Sequence, residues 1–196
     1  MIQNSDVVRV LNSKRDGAVI VSTMTANNPR LGLPSVTTDE KLDFPLSGCM
    51  SKASSVGLGL ALAHPERKVM VLDGDGSLLM NLGTMVTLSN KAPKNLYHFL
   101  FANDIYAITG GQPTPSAEQV DWQGTAKAAG YAATFSFDNL EDLTTGIDQV
   151  MATQGPVFVH MAVEPHVENT PLPLRVRPKR NVQTALREMP EALSGK

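Results

Sequence analysis

The sequence predicts a doubly wound α/β domain, a mostly parallel sheet with helices on both faces. Three observations lead there. Short apolar and β-branched runs alternate along the chain with stretches of helical period. The runs at 69–72, 96–102 and 156–163 are almost continuously apolar, as strands covered on both faces are. Glycine-rich or polar turns follow two of them, at 74–77 and at Asn103, and in such sheets ligands sit beyond the carboxyl ends of the strands.

In chain order, Ser5 or Asp6 is the expected N-cap of a first helix with Val7, Val8, Val10 and Leu11 inward, ended by Gly17. Residues 18–22 form a short strand. Residues 23–44 are polar and rich in Pro and Gly, a connection long enough to serve a site or an interface. Residues 45–50 lead into a helix over 51–64, whose Ala53, Val56, Gly57, Leu60, Ala61 and Ala63 allow close packing, and Pro65 stops it. Next comes the central strand 69–72, then a helix carrying Leu78, Leu82, Met85 and Val86. Beyond a loop at 91–95, strand 96–102 and a turn-rich loop 110–115, the pattern gives helix 119–129, strand 131–137, helix 140–152 and strand 156–163. Residues 1–163 form the domain. Residues 164–196 form a C-terminal extension, Pro-rich, basic over 175–180 and helical over 182–188, that packs on the domain or on a partner.

Composition narrows the function. The 196 residues are 42% apolar and 18% charged, an ordinary globular balance, and a net charge of -2 argues against a general nucleic-acid role. Cys49 is the single cysteine, so there is no disulfide framework and a reducing, cytoplasmic setting is expected. No apolar run approaches the roughly 20 residues that span a bilayer, and the first residues lack the apolar core of a signal peptide.

The chemistry gathers at Gly74, Asp75, Gly76 and Ser77. Glycines let a backbone approach a ligand closely, and the N-H groups of the following helix suit a phosphate. A carboxylate beside a phosphate repels it unless a cation lies between them, so Asp75 fits a metal and a diphosphate together. Asn103, at the next strand end, is placed to supply a second oxygen. Residue by residue, plainer readings stand beside these: Asp75 as a helix cap, Asn103 as a turn residue, Met50 as core, and Cys49 as a small buried hydrophobe. His64, His98, His160 and His166 share no metal-ligand spacing. A different enzyme class also fits the turn. In a DxDG phosphatase Asp73 would be the nucleophile and Asp75 the acid, with Asp138, Glu141 and Asp142 as the candidates for the later acidic pair.

GDGS, the spacing to Asn103, the segment Ser47, Gly48, Cys49, Met50 ahead of a small-residue helix, and the run from Thr109 to Thr114 (TGGQPT) together resemble the thiamine-diphosphate motif of the pyruvate decarboxylase superfamily. The resemblance covers roughly residues 18–163, and TGGQPT is most similar to phosphonopyruvate decarboxylases and the β subunits of sulfopyruvate decarboxylases. It implies Mg2+ held by the side chains of Asp75 and Asn103 and the carbonyl of Ile105, with diphosphate oxygens and water completing six ligands. It implies N-H donors to the diphosphate from Gly76 and Ser77, and a place for Gly74 and Tyr106 at the cofactor. The Gly48 carbonyl would accept from the cofactor's 4'-amino group, beside Cys49, and Met50 would be the wedge under its bent form. The family's usual Asn pair is Ala102 and Asn103 here, and its usual Gly-His after the wedge is Ser51 and Lys52. Lys52 and Thr109 are the candidates to face a small anionic 2-oxo acid, with a solvated side chain as the plainer reading of Lys52.

The glutamate that such enzymes place on the cofactor's N1' lies on a separate pyrimidine-binding domain, and none of Glu40, Glu66, Glu118 or Glu141 has a matching context. The resemblance therefore implies a partner subunit in a hetero-oligomer with two or more copies of each chain. A cofactor-binding regulatory subunit that has lost catalysis is the non-enzymatic alternative. The long connection 23–44 and the small-residue helix are the surfaces expected to meet the partner.

Overall fold

The computed structural model describes residues 1–115, 117–176 and 178–194. Arg177 of the basic stretch and residues 195–196 of the C-terminal extension lie outside the described residues.

Six strands form one sheet in which every pairing is parallel: β1 (Val19–Thr23), β2 (Asp43–Leu46), β3 (Val69–Gly74), β4 (Leu96–Ala102), β7 (Ala133–Phe137) and β8 (Val157–Ala162), in the spatial order β2-β1-β3-β4-β8-β7. A separate two-stranded antiparallel pair, β5 (Ile105–Tyr106) with β6 (Gln112–Pro113), follows β4. Both faces are covered, as the apolar runs require. On one face α2 (Ala53–Ala63), α4 (Thr84–Lys91), α5 (Trp122–Ala129) and α7 (Val182–Ser194) pack Leu58, Met85, Trp122 and Met189 against Val69, Val71 and Leu100. On the other, α1 (Asn4–Ser13) and α6 (Leu140–Ala152) pack Val7, Leu11, Leu143 and Ile147 against Met70, Leu72 and Phe99. From β1 the winding moves outward to β2, while from β3 it moves the other way to β4. The direction therefore reverses between β1 and β3, which opens a crevice beyond their carboxyl ends.

Four expectations are corrected. The first helix starts at Asn4, with Gln3 at its N-cap and no side-chain cap, rather than after Ser5 or Asp6. Its entry is set by tertiary contacts: Ile2 bridges to Val163, and the Asn4 amide donates to the carbonyls of Thr25 and Leu31. Second, the irregular connection contains β2. Pro45 sits in it because β2 is an edge strand, where a missing N-H is tolerated. Third, the helix after the GDGS turn is two helices, α3 (Asp75–Leu79) and α4, with Leu78 and Met85 buried but Leu82 and Val86 exposed. Fourth, the buried small residues of α2 meet the sheet, and the face left open for a partner carries Ser55, Gly59, Leu62 and Ala63. A Cβ on Gly57 would lie 2.2 Å from a Val71 methyl.

The C-terminal extension packs on the domain. Ala185 and Met189 of α7 are buried with Leu42 and Phe44, and Arg180 donates to the carbonyls of Asp43 (2.8 Å) and Lys41 (3.2 Å) along the β2 edge. That guanidinium satisfies acceptors an open edge strand would expose. The helix continues to Ser194 through the exposed Pro190, beyond the expected end at 188.

Candidate functional site

The crevice between β1 and β3 holds a cavity of about 100 Å³ lined by Thr23, Met24 and Thr25 from the end of β1, Met50, the turn Gly74 to Ser77, and Ile105 to Thr109. Sequence reasoning placed Met50, Gly74, Asp75, Gly76, Ser77, Ile105, Tyr106 and Thr109 in one site, and the fold brings them to one wall. Complete small-molecule pockets are about 300 Å³ or more. This cavity is the size of part of one.

Asp75 opens α3 and is buried. Its Oδ1 accepts from Gly76 N (2.8 Å), and its Oδ2 from Asn103 N (3.2 Å) and Asp104 N (2.6 Å). One carboxylate thus ties the end of β3 to the end of β4. Burial pushes its pKa up to about 6, against the pull of those three N-H groups, and the Asp104 charge adds to the rise. Among the described residues no Lys or Arg forms an ion pair with it. A buried carboxylate with no cationic partner is what a divalent ion would relieve. Asn103 is buried next to it, and its Oδ1 accepts from Ile105 N at 3.2 Å. Carboxylate and amide oxygens are hard donors of the kind Mg2+ takes.

The two glycines of the turn differ. A Cβ on Gly74 would meet nothing within 4 Å, so this is where the backbone stands open to a ligand. At Gly76 the close neighbour is internal: a Cβ there would lie 2.6 Å from Cε1 of Tyr106. The Ser77 hydroxyl accepts from Ser51 N (3.0 Å) and so holds the 48–51 loop against the turn. Gly48 (φ 78°) and Ser51 (φ 72°) both take left-handed backbone in that loop. Of the loop only Met50 reaches the cavity wall. Cys49 packs on the hydrophobic core, and Lys52 is exposed at the start of α2 and does not line the cavity.

Some wall residues had no sequence signal. Thr23, Met24 and Thr25 join because β1 lies beside β3, a non-local fact. The loop carrying Ile105 to Thr109 is strapped by the C-terminal extension. Glu168 N donates to Ala107 O (2.9 Å), Arg175 reaches Ile108 O (3.5 Å), and Val167 lies so near Gly111 that a Cβ there would be 2.7 Å from it. Asp73, the nucleophile of the phosphatase reading, is buried and does not line the cavity. Glu40, Glu66, Glu118 and Glu141 are exposed, and none lines it.

The family described as thiamine pyrophosphate enzyme, C-terminal TPP binding domain, matches residues 29–161. The chain is 40% identical over 151 residues to the phosphonopyruvate decarboxylase of Streptomyces viridochromogenes, which covers 77% of this chain and 36% of that protein. It is 42% identical over 146 residues to the sulfopyruvate decarboxylase subunit beta of Methanothermobacter thermautotrophicus, covering 72% of this chain and 75% of that subunit. The chain thus spans about a third of the first relative and most of the second. The fold is shared with a 2-oxoglutarate:ferredoxin oxidoreductase from Magnetococcus marinus, at a TM-score of 0.66 and 17% identity over 85% of this chain and 62% of that one. With the family match running through the cavity and most of the sheet, the chain belongs to the thiamine pyrophosphate enzymes, as their C-terminal TPP binding domain.

Proposed function

We propose that this chain is the diphosphate-binding half of a thiamine-diphosphate-dependent 2-oxo acid decarboxylase of the phosphonopyruvate or sulfopyruvate type, with an active site completed by a pyrimidine-binding partner subunit. The observation that carries it is the buried carboxylate of Asp75, without a Lys or Arg partner among the described residues, joined to Asn103 at the crevice between β1 and β3. Asp75, Asn103 and the Ile105 carbonyl would hold Mg2+, and the N-H groups of Gly76 and Ser77 would donate to the diphosphate. Gly48, Cys49, Met50, Gly74 and Tyr106 would shape the remaining contacts. When bound, the cofactor supplies a nucleophilic carbon and a sink for the electrons released as CO2 leaves. This chain's part is to bind, orient and exclude water. Thr109 would face the anionic 2-oxo acid from the wall, and Lys52 from outside it.

The small cavity, and the absence of any carboxylate but Asp75 from its described lining, support a shared site. The surface that favours a partner is apolar: Met80, Leu82 and Val86, exposed by 56%, 39% and 59%, flank the turn that follows α3. We place the assembly in the cytoplasm as a hetero-oligomer with at least two copies of each chain, and we divide this chain into a domain, 1–163, and an extension, 164–196. Among the described residues no helix is long and apolar enough to cross a membrane.

The test is reconstitution. The purified chain alone should not decarboxylate phosphonopyruvate, sulfopyruvate or pyruvate. Adding the partner should produce activity that a Glu→Gln change in the partner lowers by about 10²- to 10⁴-fold, the usual worth of acid-base help. Full activity from the chain alone would overturn the shared site. A complex that binds cofactor yet turns over none of the three acids would favour a regulatory subunit, and p-nitrophenyl phosphate turnover lost on Asp73→Asn would favour the phosphatase.

A further inference from the structure

On the α2 side of the sheet, behind the cofactor turn, three polar side chains sit in an otherwise apolar core. Asp73 is the penultimate residue of β3, His98 lies on the neighbouring β4, and Tyr131 follows α5, with His98 fully buried and Asp73 1% and Tyr131 6% exposed. Asp73 Oδ1 accepts from Gly74 N at 3.0 Å and from the Thr23 hydroxyl at 3.3 Å. Asp73 Oδ2 and His98 Nε2 face one another at 3.6 Å, a polar contact longer than a hydrogen bond, and among the described residues neither atom has a hydrogen-bond partner. On the far side of the ring, His98 Nδ1 lies 2.8 Å from the Tyr131 hydroxyl. Burial, and after it the charge of Asp73, raises the Tyr131 phenol above its usual range, so it keeps its proton; a bare Nε2 would set its lone pair against the Asp73 carboxylate, so Nδ1 is the ring's acceptor and takes the hydrogen bond of the Tyr131 hydroxyl. His98 then carries its own proton on Nε2, aimed at Asp73.

Such a set is a poor way to stabilise a core, because apolar residues of similar volume do as well or better. What it does is connect. Both acceptor bonds of Asp73 Oδ1 end at the crevice: the Gly74 peptide begins the turn, and Thr23 lines the cavity wall. We propose that His98, backed by Tyr131, is a positioning residue that orients the Asp73 carboxylate and through it sets the Gly74 peptide and the Thr23 hydroxyl on the two strands flanking the cofactor crevice. The proposal rests on the function proposed above only where cofactor affinity is read.

Two substitutions separate hydrogen bonding from packing. His98→Gln returns an amide N-H to the Nε2 position. His98→Phe keeps the ring volume without any N-H. In the cofactor-free chain, ¹H–¹⁵N spectra and hydrogen exchange should show the Gly74 amide shifted and exchanging about tenfold faster in His98→Phe, and near wild type in His98→Gln. Affinity for thiamine diphosphate in Mg2+ should fall by about tenfold in His98→Phe, the worth of one misplaced hydrogen bond at the crevice. In His98→Gln it should be recovered. Tyr131→Phe, which deletes only the hydroxyl, gives the same readout by a milder change should His98→Phe fail to fold. An unmoved Gly74 amide in folded His98→Phe or Tyr131→Phe would overturn the proposal, as would equal effects of His98→Phe and His98→Gln. If the wild-type chain binds no thiamine diphosphate, the proposed function falls while the Gly74 amide still decides the role of His98.

Discussion

Asp75 Oδ2 stands 2.6 Å from the backbone nitrogen of Asp104, and this bond makes the carboxylate both a candidate metal ligand and a structural tie between two strand ends. Asp104 takes left-handed backbone (φ 59°) directly after that N-H.

Asp75→Ala is therefore expected to do two things. It should abolish Mg2+-dependent binding of thiamine diphosphate, read by calorimetry. It should also destabilise the chain by about 2 kcal/mol or more, since three N-H groups lose their acceptor and a buried orphan costs about 1–3 kcal/mol. Unchanged cofactor affinity in a folded variant would end the metal assignment.

The raised pKa of Asp75 predicts the pH behaviour of the metal-free chain. The folded group titrates at about 6 and its ordinary value is 3.8, so between these values the folded state binds the extra proton. Its contribution is fully present below pH 3.8 and is lost as pH rises through 6, a difference of about 3 kcal/mol. Asp75→Asn should remove that slope from urea-unfolding data collected across pH 4–7. An identical slope in the variant would mean that the carboxylate is not the group responsible.

Gly76→Ala should displace the Tyr106 ring, because the new Cβ would lie 2.6 Å from Cε1. Overpacking of this kind costs about 1–3 kcal/mol. A double-mutant cycle with Tyr106→Ala should return most of that loss as coupling energy. Additive effects would show that the ring does not crowd Gly76 in solution.

Arg175→Ala should loosen the site loop from outside it. The guanidinium donates to the carbonyls of Thr170 (2.7 Å), Glu168 (3.1 Å) and Ile108 (3.5 Å). Without it the Glu168 amide, bonded to Ala107 O, should exchange roughly tenfold faster, the equivalent of one hydrogen bond of about 1.4 kcal/mol. Exchange at the wild-type rate would show that the strap holds by other contacts.

Val86→Asp tests the partner surface. Val86 is 59% exposed on α4, so the isolated chain should keep its unfolding midpoint. Association with the partner subunit should weaken by at least about tenfold, because a charge would be buried in an apolar contact. Assembly at wild-type strength would place the interface elsewhere.

Residue pattern alone determined the strands and helices whose signals are local. Strand β4 at Leu96–Ala102 and helix α6 at Leu140–Ala152 fall where the apolar run and the helical period put them, and Asn139 caps α6 by accepting from Asp142 N. Pattern also singled out Asp75, Asn103 and the residues of the turn, because a carboxylate between glycines at a strand end has few roles. Only the tertiary structure decided which strands became neighbours. The reversal between β1 and β3 brings Thr23 to Asp73, and the returning C-terminal segment sets Glu168 and Arg175 on the site loop. It also decided that Pro45 sits in an edge strand, that Gly57 is consumed by Val71, and that Asp75 is buried. Periodicity and turn chemistry are properties of a few adjacent residues and can be read in one dimension. Burial and strand order depend on contacts between residues far apart in the chain, and those exist only after the sheet has closed around its core.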